Sequence, residues 1–102
     1  MKKDIVLNFK NILTELKEKE LKLCFLKGNG STMLVEDIKG NLYDIEKYYH
    51  NSYLDNLIKH NARVSFNLIE DKEDRENIKE FGRIEVWDVP EVQSFMKRQH
   101  LS

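Results

Sequence analysis

Residues 21–45 read LKLCFLKGNGSTMLVEDIKGNLYDI, and the alternation within them decides the fold class. Leu21, Leu23 and Phe25 alternate with Lys22 and Cys24, which is the period of a strand with one apolar face. Gly28-Asn29-Gly30 and Lys39-Gly40-Asn41 are turn sequences made of residues that tolerate positive φ. Between them, Ser31 to Ile38 reads as a second strand centred on Met33-Leu34-Val35, and Leu42 to Ile45 restarts an extended pattern. Three strands joined by short hairpins make an antiparallel meander.

Working outward toward the N-terminus, Ile5, Phe9, Ile12, Leu13 and Leu16 fall on one helical stripe, which predicts a helix over residues 4–20 begun by Asp4. Such a helix packs either on its own domain or on a second copy as a homodimer. Toward the C-terminus, Ile45, Tyr48, Tyr49, Tyr53, Leu57 and Ile58 return to helical spacing, and Arg63 to Ile69 alternates again. Residues 71–79 are charged and predict a polar loop. Phe81 to Trp87 supplies a fifth strand, and Pro90 opens a short helix over 90–99 with Val92, Phe95 and Met96 on one side. The sum is a single α+β domain over residues 1–102. Its element order matches a small five-stranded antiparallel OB-like barrel over 21–87 with N-terminal and C-terminal flanking helices.

The 102 residues carry 17 Lys and Arg against 18 Asp and Glu, a net charge of -1, which excludes a strongly basic protein that holds nucleic acid by bulk charge alone. The charge is segregated: nine acidic and four basic residues lie between Glu70 and Glu91, so the remainder of the chain is net positive. One cysteine, Cys24, allows no internal disulfide and points to a reducing, cytoplasmic setting. No apolar run is long enough to span a membrane, and no secretory signal is visible. His50, His60 and His100 do not have the spacing of a zinc site, and Gly28-Asn29-Gly30 lacks the third glycine of a dinucleotide loop, so neither metal nor cofactor is expected. No nucleophile is paired with a base in the sequence, and the chain reads as a non-enzyme.

Lys27-Gly28-Asn29-Gly30, Asn41-Leu42-Tyr43-Asp44-Ile45 and Val64-Ser65-Phe66 together resemble the signatures of cold-shock domains. Those domains are OB folds that stack unpaired bases on surface aromatics. Asn29 and Ser31 stand where that family carries stacking rings, so Tyr43 is the ring of the set that this chain keeps. The resemblance implies a module for single-stranded RNA or DNA. Lys22, Phe25, Lys27, Lys39, Tyr43, Lys47 and Arg63 are the candidate contacts, in the net-positive part of the chain. The alternative is a protein-interaction or inhibitory module of the phage or mobile-element type. It would present Asp71, Glu73, Asp74 and Glu76 to a basic partner, with Trp87 as an aromatic contact.

Overall fold

The computed structural model describes residues 4–26, 29–50 and 54–85. The strands are β1 (Asp4–Leu7), β2 (Lys22–Leu26), β3 (Asn29–Glu36), β4 (Leu42–Ile45), β5 (Val64–Leu68) and β6 (Arg83–Glu85). The helices are α1 (Ile12–Lys19), α2 (Leu54–His60) and α3 (Lys72–Phe81), with 3-10 turns at Phe9–Asn11 and Lys47–Tyr49. The strands form one antiparallel sheet in the order β1-β5-β4-β3-β2-β6. The α+β class and the β2-β3-β4 meander are therefore as expected.

The architecture differs from the expected barrel in three respects. The sheet has six strands, and β1 and β6 stand at its two ends with no pairing between them among the described residues, so closure is not seen there. Residues 4–7 are a strand, not the first turn of a helix. Ile5 and Leu7 lie opposite Phe66 and Val64 of β5, and β-branched Ile5 and Val6 suit that ladder. Asn8 then ends the strand by accepting a hydrogen bond from the Lys10 backbone at 3.0 Å, and α1 begins only at Ile12. Finally, residues 72–81 are helical, not a loop. The Asp71 carboxylate caps the helix by accepting from the Glu73 and Asp74 backbone N–H groups at 2.8 and 3.3 Å. Glu73 and Asp74 complement the dipole at that end, Lys79 does so in the last turn, and Gly82 terminates the helix at φ 83°.

Register and alternation give the sheet two faces. The inner face carries Leu7, Leu23, Met33, Val35, Tyr43, Ile45, Val64 and Phe66, all buried, with Ile5, Phe25 and Leu68 packed beside them. Phe9, Ile12 and Leu16 cover it from the α1 side, and Leu54, Leu57 and Ile58 from α2. The rings of Phe9 and Phe66 stack with centroids 6.1 Å apart and planes 12° from parallel. The apolar stripe of α1 is thus buried within its own chain, which leaves Ile12 and Leu16 unavailable for the homodimer contact that the helix suggested. The outer face is smaller in apolar content: Cys24, Leu34 and Leu42 are buried there, outside the main cluster.

One polar latch holds the β3–β4 hairpin. The Asp37 carboxylate accepts from the backbone N–H groups of Lys39 and Asn41, from the Asn41 amide and from the Tyr43 hydroxyl, at 3.0, 2.9, 3.0 and 3.2 Å. Gly40, at φ 87°, supplies the left-handed residue that the turn needs. Partial burial pushes the Asp37 pKa up, but these donors outweigh it and the net shift is downward. A lowered carboxylate stabilises the fold above the ordinary carboxylate range and loses that contribution as pH falls through its depressed value.

Two outcomes follow in urea denaturation. Phe66→Ala is expected to cost about 3–5 kcal/mol, as a large ring removed from a packed core does. Asp37→Ala is expected to cost about 1–3 kcal/mol near neutral pH. That gap should narrow as the pH falls below the ordinary carboxylate range and through the depressed pKa of Asp37.

Candidate functional site

The candidate nucleic-acid contacts do not come together as one face. Tyr43 is 1% exposed, its ring in the inner-face core and its hydroxyl on Asp37, so no base can stack on it. Phe25 is half-buried on the same inner face. Both rings are claimed by the core because their positions in the alternation point inward. Lys22 and Lys39 are exposed and line one open hollow of about 490 Å³, but Glu20, Glu36 and Asp37 line it too. Lys47 and Arg63 are exposed at the turn after β4 and just before β5. Lys27 lies outside the described residues, as do Trp87 and the helix expected over 90–99. The exposed ring among the described aromatics is Tyr48, 83% exposed beside Lys47 and edge-on to Tyr49 at 5.0 Å.

The acidic residues behave differently. Asp71, Glu73, Asp74 and Glu76 are all exposed, and the α3 cap and first turns gather them at one end of the helix. Helical periodicity turns Asp74 and Ile78 toward the sheet, where Ile78 is half-buried.

Beneath α3 lies a cleft of about 310 Å³ against the outer face of the sheet, lined by Leu26, Leu34, Asp44, Ile69, Asp74, Asn77 and Ile78. Asp44 is the unusual group in it. Its Oδ1 is buried with no hydrogen-bond partner, and its Oδ2 is 3.8 Å from Nε2 of His50. That His50 nitrogen is closer to the Ile45 carbonyl oxygen, at 3.1 Å, so the imidazole is oriented by the backbone more than by the carboxylate. Burial raises the Asp44 pKa, and the nearby His50 and a backbone hydrogen bond from Ile45 offset this only in part. A perturbed carboxylate in a cleft is a mark of a functional position. The sequence carries a faint signal for it: Asp44 interrupts the apolar run Leu42-Tyr43-Ile45 on a central strand. The cleft around it is not legible in the sequence, because the charge of residues 71–79 predicts a loop there and only the helix makes the wall.

Elsewhere on the outer face, Arg83 and Glu36 form an ion pair at 2.6 Å, each about one-quarter exposed, that ties β6 to β3 across β2. Among the described residues, no group of three or more His, Cys, Asp and Glu side chains is placed to hold a metal ion. No described helix is long and apolar enough to cross a membrane. Comparison of the chain with protein families, curated proteins and solved structures gives no match.

Because the folded state raises the Asp44 pKa, the stability this group contributes is greatest in acid and is lost as pH rises through its raised value. At neutral pH the ionised Asp44 lowers stability. Asp44→Asn should therefore raise the thermal unfolding midpoint at about pH 7 and leave it unchanged at about pH 3, by scanning calorimetry at the two pH values.

Proposed function

We propose that this protein is a non-catalytic protein-interaction module that engages a basic partner through the acidic end of α3. The observation that carries the reading is the grouping of Asp71, Glu73, Asp74 and Glu76, all exposed, on the cap and first turns of one helix. A helix holds its carboxylates at set spacings, which a solvated loop does not, so the strip can match a defined set of Lys and Arg side chains. Complementary charge of this kind speeds encounter and sets register. A carboxylate strip on a small domain can also stand in for phosphates and block a basic site on another protein, which is the inhibitory form of the same reading.

The rival reading, a single-stranded nucleic-acid module on a closed OB-like barrel, has lost Phe25 and Tyr43 as stacking surfaces and rests on Tyr48 with Lys22, Lys39, Lys47 and Arg63. Fold class alone favours neither, since function belongs to the site.

Two measurements separate them. In quantitative capture from lysate, proteins retained by the wild type should be lost from the Glu73→Gln/Glu76→Gln variant, which keeps the Asp71 cap and hence the helix. In fluorescence anisotropy with mixed-sequence single-stranded RNA and DNA, salt-sensitive binding that disappears in Lys47→Ala/Tyr48→Ala would overturn the proposal in favour of nucleic acid. Identical capture profiles for wild type and the glutamine variant would also overturn it.

A further inference from the structure

The cleft under α3 has the composition of a ligand site for one kind of molecule. Its volume of about 310 Å³ lies at the lower end of the range for small-molecule sites, roughly 300–1,000 Å³. Leu26, Leu34, Ile69 and Ile78 give it apolar walls, and its polar groups among the described residues are two carboxylates, Asp44 and Asp74, and the amide of Asn77. Among the described residues, no Lys, Arg or His lines it.

Asp44 sharpens this. Its Oδ1 is out of water with no hydrogen-bond partner while the side chain as a whole is 39% exposed, and the imidazole Nε2 of His50 stands 3.8 Å from Oδ2, beyond hydrogen-bond reach. A carboxylate partly withdrawn from water, with one oxygen lacking a donor, is held at a cost that the Ile45 backbone and His50 offset only in part, and a cation brought beside it removes more of that cost. An anionic ligand would be repelled by both carboxylates. A neutral apolar ligand would bring no donor to the Asp44 oxygen that lacks one. A bare metal ion would find two carboxylates and an amide among the described lining residues, fewer protein oxygens than a hard cation takes. An organic cation on a short hydrocarbon stem matches walls and charge at once.

We propose that the cleft between α3 and the outer face of the sheet binds a primary alkylammonium group, with the ammonium at Asp44 and the stem along Leu34, Ile69 and Ile78. Asp74, on the opposite wall, adds to the field that holds the cation. The site shares Asp74 with the partner surface proposed for the exposed end of α3, but its cation contact is Asp44, which that surface does not use, so the two are tested by different variants. The ammonium can come from a free alkylamine or from the side chain of a lysine in another protein. The chemistry is the same, and the probes below tell the two apart.

The test uses the full chain, labelled with 15N, in NMR titrations near neutral pH with three probes. These are n-hexylamine, protonated at that pH, n-hexanol as its neutral counterpart, and N-acetyl-lysine N-methylamide as a lysine held in a peptide. Hexylammonium should give saturable shifts at the amides of Leu26, Leu34, Ile69, Asn77 and Ile78, and hexanol should bind at least about tenfold more weakly. Asp44→Asn should lower hexylammonium affinity by about tenfold or more while its spectrum away from the cleft stays that of the folded wild type. Tighter binding of the capped lysine than of hexylammonium assigns the site to a protein side chain, and the reverse order assigns it to a free amine. The proposal is overturned by the absence of saturable shifts at these residues, by equal affinity for hexanol, or by unchanged affinity in Asp44→Asn.

Discussion

The fold hangs on the burial of one sheet face, and Phe66 is at its centre. It lies opposite Ile5 of β1 and Ile45 of β4 in the ladders, and its ring stacks on Phe9 from the turn that leads into α1. That stack fastens the N-terminal segment across the sheet, so β1 can pair with β5 and α1 can lay Ile12 and Leu16 on the same core. With α1 and α2 covering the inner face, the chain after β5 must cross the other side to reach β6 beside β2. Its crossing segment is α3. The cleft and the acidic strip are thus consequences of which face the core claimed first.

Two carboxylates near the same hairpin show how environment sorts one residue type into two roles. Asp37 is surrounded by donors from Lys39, Asn41 and Tyr43, and its charge is favoured. Asp44 sits on β4 with one oxygen lacking any donor, and its charge is disfavoured. The first holds the hairpin. The charge of the second, once ionised, opposes the fold. The same hairpin also takes Tyr43, the ring kept from the cold-shock resemblance, into the core. Tyr43 follows the family's signature in sequence, but here the alternation sends its ring inward and its hydroxyl to Asp37. A motif of alternating residues states which positions share a face. It does not state which face meets water.

Much of the secondary structure was legible in the chain. The β2-β3-β4 meander, the helical return ending at His60 and the strand at Val64–Leu68 all follow from period and turn residues. The helix α3 could also have been read: Asp71 before Glu73 and Asp74, Ile78 at helical spacing from Asp74, Lys79 late and Gly82 last are start and stop signals. Its density of charge hid them. Strand β1 was harder. Ile5 and Phe9 fit a helical stripe with Ile12 and Leu16 as well as Ile5 and Leu7 fit a strand, and only the open edge of β5 decides between them.

The sequence by itself determined the class of the domain, the meander at its centre, the separation of acidic from basic halves and the residues that alternate on each strand. Those properties are local, set by side-chain period and by the few residues that turns accept. The tertiary structure alone decided the strand order, a sheet of six strands with no pairing of its two ends among the described residues, the burial of Tyr43 with Phe25 packed beside it and the placing of Asp44 beneath α3. Those depend on pairings between segments far apart in the chain. Whether a charge is solvated or withdrawn from water is a property of the elements packed around it, and no spacing within its own strand records that.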